Sequence, residues 1–434
     1  MRVFWGSWRR IVAEMHGDRS QHGGEPAGCA EELQPRRLSV LFLCHRLPFP
    51  PDKGDKIRSY HLLMSLAKQG DVDLVTHVDD PRDLRHVEVL RESCRTVDVF
   101  PLHPVVGYVR VLGALATRAP LSVAYMTRRP AARRVRELLA GRSYDLVVGY
   151  SSQVAAYLPE DLDVPVVFDL VDVDSAKWAA YGDARGVLRG FIPRLEERRL
   201  GAFEKRIAAE CARVVVATQR EASVLEQRVG RFGAVAIGNG VIAPAVVPDH
   251  GSRDAGLVVF VGMMDYPPNV DAVQRIADGV WPRVRESVPD ARFRIVGRAP
   301  TANVRELAAR PGIEVTGEVP DLSAHLGAAE VALIPLRIAR GIQNKVLEAM
   351  AWGLPVVASP SVSACLHDDA AEAVSRHAED ADLADEVVRL LGDAALRQSR
   401  GDAGRTFVAR HHDWERIDGQ WAELIDGVLG RAAS

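Results

Sequence analysis

Several protein classes leave marks that this 434-residue chain lacks. Its five cysteines, at positions 29, 44, 94, 211 and 365, are odd in number and scattered, with no paired spacing of a zinc site or a redox Cys-x-x-Cys. Such usage fits a reducing cytoplasm. No run approaches the ~18–20 apolar residues of a bilayer span, and the strongest, Ser39–Cys44 and Leu257–Val261, are of strand length. Neither sign of charge prevails: Lys+Arg 55 against Asp+Glu 58 gives a formal net of −3, which offers nucleic acid no global attraction. There is no short-period repeat. Mean hydropathy of −0.05 argues against both a mostly disordered chain and a polytopic membrane protein. The opening MRVFWGSWRR is cationic but is followed by no long apolar core or small-residue cleavage site, so no secretory signal is expected. Residues 1–37 read as a flexible leader or as an interfacial helix carrying Trp5, Trp8, Arg9 and Arg10.

What is present is an alternation of short apolar runs with helical segments, long enough for two domains. From Leu38 the order is a strand (SVLFLC), a Pro/Gly loop (PFPPDKGDKIRSY), a helix (HLLMSLAKQG) and a strand (DLVTHV), which is a β-loop-α-β unit favouring a parallel sheet. Strands follow at Asp145–Gly149, Pro165–Leu170 and Arg213–Ala217. Residues 237–256 then gather Gly, Pro, Asn and Asp without helical periodicity, which is linker composition. The alternation restarts with strands at 257–262, 292–297, 313–318, 331–336 and Pro355–Ala358. Between them lie helices through Asn269–Val288, over 301–309, near 321–328 and at 344–352. The expected fold is therefore α/β, with two Rossmann-like domains: 38–240, a linker at 241–256, and 257–410. A C-terminal helix at 411–434, bearing Trp414 and Trp421, is expected to pack back on the first domain. Two such halves imply a cleft, and ligands of open α/β sheets bind beyond the carboxyl ends of the strands.

The most informative stretch is Leu333–Ser359, LIPLRIARGIQNKVLEAMAWGLPVVAS: a buried strand, a loop with Gly341, a helix holding Lys345 and Glu348, Gly353 as helix stop, and another buried strand. A helix N-terminus offers free N–H groups to phosphates, and a lysine in its first turn adds a full charge there. Glu348, about one turn later, can accept two hydrogen bonds from a ribose. The same spacing also describes an ordinary Lys–Glu surface pair.

LEAMAWGLPVVAS, taken with Asn239-Gly240-Val241, resembles the GT-B retaining glycosyltransferases of family 4, whose signature is Glu-x7-Glu followed by a Gly-Pro-Val-Val strand. With LCHRLPFPPDKGDKIRSYHLL and DLVDVDSAKW the chain is also similar, over about residues 38–425, to sugar transferases associated with PEP-CTERM/exosortase exopolysaccharide loci. The resemblance implies a GT-B fold and a donor-binding second domain. It places the second signature glutamate at Glu348, on the donor ribose. The first falls on Arg340, so either the arginine does different work on a different donor or another residue replaces it. Lys345 and Arg340 become the expected phosphate ligands, stabilising the departing diphosphate. Gly341, Asn344, Gly262 and Arg298 are expected around the donor, with Arg337 a weaker candidate.

In related enzymes a loop after the first strand meets donor phosphates and acceptor; here Lys53, Gly54 and Lys56 are its candidates, with an ordinary Pro/Gly turn as the alternative. His45 and Arg46 end the preceding strand. At the strand PVVFDL, where family members place a His-Asp pair, this chain has Asp169, Asp172 and Asp174. Asp172 is the expected catalytic carboxylate, orienting the acceptor hydroxyl or stabilising an oxocarbenium-like centre, while Asp174 is the cap of the next helix. The Asp172-Val173-Asp174 string invites a metal, but the basic residues near the second-half cradle make none expected. Asn269 and Asp271 read as capping a helix start, with contact to donor or acceptor as the alternative. Arginines through 107–138 and 185–206 suggest contact with anionic headgroups or simply a solvated face.

The expected activity is transfer of a sugar from a nucleotide-diphosphate sugar, UDP- or GDP-linked, to an acceptor hydroxyl with retention, the acceptor being a glycan, lipid-linked in exopolysaccharide synthesis. The expected location is cytoplasmic, peripheral on the inner face of the membrane, with no cofactor. A nucleotide-sugar 2-epimerase of the same architecture and a non-catalytic scaffold, suggested by Arg340, are the alternatives.

Overall fold

The computed structural model describes residues 37–184, 190–230, 233–339 and 341–431. The leader 1–37 lies outside them but for its last residue, as does Arg340. The chain divides into two compact units. One is Arg37–Gly240 with the short return at 341–344 and the C-terminal residues from His411; the other is Val241–Ala339 with Lys345–Arg410.

The first unit is built on seven strands: β1 Leu38–Cys44, β2 Gly70–Val78, β3 Thr96–Pro101, β4 Leu146–Tyr150, β5 Val166–Val171, β6 Arg213–Val216 and β7 Val235–Ala236. They lie in the order β3-β2-β1-β4-β5-β6-β7, and every pairing is parallel. β1 and β4 read as unbroken apolar runs because both faces of a parallel sheet are covered, and their residues are buried almost throughout. β3 has one neighbour and is half-buried, which explains why its weaker TVDVFP pattern leaves no clear trace in the sequence. Crossover helices complete the layers, among them Gly54–Gln69, Pro104–Leu115, Asp174–Ala184 and Phe191–Glu210.

The second unit has six strands: β8 Leu257–Val261, β9 Arg292–Val296, β10 Ile313–Gly317, β11 Val331–Ile334, β12 Val356–Ala358 and β13 Val374–Arg376. Their order is β10-β9-β8-β11-β12-β13, again wholly parallel. In both sheets the chain starts in the middle, winds one way for three strands and then reverses, which puts a topological switch point between β1 and β4 and between β8 and β11. The helix expected through Asn269–Val288 is three pieces: α over Pro267–Arg275, a π turn at Ile276–Val280, and α over Trp281–Ser287. Pro282 accounts for the wide turn, since its ring cannot sit against the carbonyl four residues back in an ordinary α turn.

The C-terminal helix Trp414–Leu429 packs on Gly54–Gln69 within the first unit. Trp414 stacks on His61, ring centroids 3.6 Å apart and planes 7° from parallel, and Lys68 pairs with Asp418 at 2.6 Å.

Candidate active site

Among the described residues, three other than glycine have positive φ: Ser151 at 72°, Val171 at 66° and Ala299 at 54°. Ser151 directly follows β4, Val171 ends β5, and Ala299 lies just beyond β9, so each marks the carboxyl edge of its sheet. A β-branched residue in this region is costly, about 1–3 kcal/mol, and persists only where its surroundings hold it.

Around Val171 that support is visible. The Asp169 Oδ1 atom accepts from the Val171 amide at 3.0 Å, and the pairing with β6 slips one residue at the same point. Asp169 in turn takes two bonds from the Arg58 guanidinium, Nε to Oδ2 at 2.7 Å and Nη2 to Oδ1 at 3.1 Å, in a fully buried pair. Arg58 Nη1 continues to the Gly238 carbonyl and to Asn239 Oδ1, and Asn239 donates to Asn344 Oδ1 at 2.8 Å. Asp169 is thus a structural anchor of this turn.

The strained turn delivers Asp172. Its Oδ1 is buried without a hydrogen-bond partner, and burial pushes its carboxyl up to about 6; Lys177 opposes the rise while Glu221 and Asp174 add to it. Gly341 comes down on this carboxylate. At φ +60° and with Asp172 Oδ1 only 2.2 Å from where a Cβ would stand, only glycine fits there. Asp174, expected as the cap, is the first residue within its helix. Nearby, His45 stacks on Tyr150 at 5.6 Å and lies 3.6 Å from Asp55, its Nδ1 buried and unpaired.

The basic loop expected at 53–56 is different. The helix starts at Gly54, Lys53 is its N-cap residue, and Gly54 has Asn344 Nδ2 3.6 Å from its Cβ position. Lys56 departs from the expectation of a phosphate contact: it is buried on the helix, 2.5 Å from Asp83 and 3.8 Å from Asp52, so its charge is already committed.

In the second unit Lys345 lies in the first turn of the helix Asn344–Ala351. Its Nζ is 2.5 Å from Asn269 Oδ1 and 4.5 Å from the Phe260 ring centroid. It also reaches Gly262, where a Cβ would stand 3.1 Å from Nζ and 2.7 Å from Asn269 Nδ2. Phe260 is on β8 and Gly262 directly follows it, so the ammonium sits at the switch point of this sheet. Burial draws the Lys345 ammonium down to about 7, with Glu348 opposing, and the same burial raises the Glu348 carboxyl while Lys345 lowers it. The side chain of Asn269 does not cap its helix; it donates to the Met263 carbonyl and accepts from Lys345. Arg298 contacts Met263 Sδ at 3.8 Å, and the Arg337–Asp271 pair at 2.6 Å is exposed. A cation held by an amide oxygen and an aromatic face, at a helix N-terminus, is chemically ready for an anion.

The sequence pointed to Lys345, Gly262, Gly341 and Asp172, but not to Arg58 or Phe260, and it read Asn269 as a cap with contact to donor or acceptor as the alternative. For Asn269 a usable signal was present: two prolines before it already start the helix, leaving its amide free for other work.

Two doubly wound parallel sheets in one chain define a GT-B-type fold, and the comparisons agree. Residues 255–393 match the family model described as Glycosyl transferases group 1. Sucrose-phosphate synthase from Thermosynechococcus elongatus is 21% identical, covering 91% of this chain and 100% of its own at a TM-score of 0.68. HepE of Anabaena in complex with UDP is 14% identical over 90% and 100% of the two chains, TM-score 0.62. WaaG, a glycosyltransferase involved in lipopolysaccharide biosynthesis, is 17% identical over 89% and 100%, TM-score 0.62. An exopolysaccharide phosphotransferase of Streptomyces coelicolor is 26% identical over 235 residues, 50% of this chain and 24% of its own, so the chain spans about a quarter of that curated relative. The group 1 match and the fold together support a glycosyltransferase.

Proposed function

We propose that the chain moves a sugar from a nucleotide-diphosphate sugar to an acceptor hydroxyl with retention, in the manner of family 4. The observation that carries this is the Lys345 ammonium, parked on Asn269 and Phe260 at the strand ends of the domain that matches group 1. HepE, whose structures hold UDP and UDP-glucose, makes a uridine donor the first to try.

In this reading the diphosphate takes Lys345 and the helix N-terminus, and Glu348 accepts from the ribose hydroxyls. The bond from C1 to the diphosphate oxygen breaks with its electrons going to phosphate, and the acceptor oxygen bonds to C1. Asp172 accepts a hydrogen bond from that hydroxyl and orients it, and the proton leaves on the released diphosphate. Charge stabilisation on the leaving group supplies the largest share of the rate. No metal is called upon, since side chains and the helix end meet the phosphate charge; activity should therefore survive chelation. The acceptor we propose is a lipid-linked glycan of exopolysaccharide synthesis, as in the PEP-CTERM-associated enzymes that the sequence resembles, reached from the cytoplasmic face of the membrane.

The test is calorimetry of the full chain against UDP-, GDP- and ADP-sugars, followed by transfer assays on Lys345→Ala, Glu348→Ala and Asp172→Asn. The first two should weaken donor binding. Asp172→Asn should leave binding intact and slow transfer by about 10²–10⁴-fold. Wild-type rates in both Lys345→Ala and Glu348→Ala would remove the cradle assignment.

A further inference from the structure

The helix Pro104–Leu115 is turned inside out relative to a water-facing helix. Its buried positions include Gly107 and Ala114, whereas Val105, Tyr108, Val109 and Leu112 are 75%, 66%, 63% and 66% exposed, and Val106 and Leu115 are exposed as well. At ~100° per residue these side chains cover about half the circumference without a charge. The small residues are what let it lie close: a Cβ side chain on Gly107 would run into the Tyr125 ring. Fraying does not explain the exposure, because Arg199 clamps the helix end through the carbonyls of Ala114, Leu115 and Ala119. About two turns before Arg199 on its own helix, Phe191 and Ile192 are exposed too, at 69% and 57%.

The stretch that contains this helix carries charge of one sign. From Leu102 to Arg136 there are seven arginines and no aspartate or glutamate. Arg118 and Arg129 are exposed within that stretch, and Arg194 and Arg198 are exposed beside Phe191 and Ile192. An apolar face rimmed by cations suits an anionic lipid leaflet, where the side chains leave water and the arginines stay among headgroups. It suits a second copy poorly, since two such faces would set the exposed Arg118, Arg129, Arg194 and Arg198 of each copy against those of the other. Among the described residues no helix is long and apolar enough to cross a membrane, so such contact is from one side.

We propose that the Pro104–Leu115 helix, with Phe191 and Ile192, is an insertion surface that docks the chain on an anionic bilayer. Because it follows β3, the helix leaves from the carboxyl edge of the sheet that carries Asp172, and docking holds that edge near the lipid. This goes beyond attraction by arginines: the apolar side chains enter the leaflet, and binding persists when salt screens charge.

The test is flotation of the full chain with phosphatidylglycerol–phosphatidylcholine vesicles and with phosphatidylcholine alone, for wild type and Val109→Asp/Leu112→Asp. Both substituted residues are exposed, and unchanged circular dichroism and thermal unfolding would show the variant folded. Wild type should float with the anionic vesicles, and the variant should lose more than about tenfold in partitioning. Tyr108→Trp should shift its emission to the blue on those vesicles. Wild type left unbound, a variant that floats equally well, or an unshifted tryptophan overturns the proposal. So does a concentration-dependent dimer of wild type that the variant abolishes without any lipid binding. None of these readouts depends on sugar transfer, so their failure is separate from failure of the transferase reading.

Discussion

Arg58 and Asp169 lie 111 residues apart in the chain and meet as a two-point ion pair with neither side chain reaching solvent. The pair fastens the helix Gly54–Gln69 to the end of β5, and through the second role of Asp169 it holds the strained Val171 amide. One salt bridge therefore supports the turn from which Asp172 projects.

Removing one partner leaves the other charged and buried. Arg58→Met should cost about 3–5 kcal/mol in chemical denaturation, and Asp169→Leu a similar amount, whereas the double variant should recover most of the loss. The two single variants should also lose transfer activity at temperatures where they remain folded, since the Val171 turn loses its support. Single variants within 1 kcal/mol of wild type would show that water, rather than the pair, satisfies these groups.

For Lys345 the prediction concerns pH. Its ammonium lies at about 7 when folded against an ordinary 10.5, so between those values the unfolded chain binds more protons. Stability of the ligand-free protein should rise with pH through that window, and Lys345→Met should flatten the rise. Donor binding should run the other way. A diphosphate selects the charged lysine, so affinity should fall by up to about tenfold per pH unit above 7, as read by calorimetry at several pH values. A pH-independent affinity would mean that Lys345 does not meet the phosphates.

These two sites differ in how far the sequence disclosed them. Lys345, Glu348, Gly341 and Gly262 all sit within local patterns, a strand end or a helix start, and local patterns were legible. So were the strands of both sheets except β3, β7 and β13, which are all edge strands, β7 and β13 being only two and three residues long. Arg58 was not legible as an anchor, because nothing near it in sequence hints at Asp169 or Asn239. Lys56 looked like a loop cation for the same reason: its partner Asp83 is 27 residues away. Asn269 looked like a cap because capping is what asparagine does near a helix start, and only the fold brings Lys345 against it. Long-range polar pairing is the level at which periodicity and spacing carry no information.

The C-terminal helix offers the last prediction. Trp414 lies flat on His61 and also against Gly240, where a Cβ would come 2.4 Å from the indole, while His412 Nδ1 bonds the Asn239 carbonyl at 2.7 Å. The helix is thus seated on the residues that close the first unit's main segment. Burial draws His61 down to about 3 from an ordinary 6.5, with Lys68 adding to the effect. Between these values the unfolded chain again binds more protons, so stability should decline as pH falls from about 6.5 toward 3. His61→Phe keeps an aromatic face for Trp414 but has no proton to bind, and it should lose less stability than wild type between neutral pH and about pH 5. Trp414→Ala should weaken the acid response in the same sense, because it uncovers the imidazole and lets its pKa return toward the ordinary value, but it costs about 2–4 kcal/mol at neutral pH through lost packing. Denaturation midpoints at the two pH values, with the His61 ring followed by NMR, check both. A wild-type acid response in His61→Phe would assign the loss to other groups.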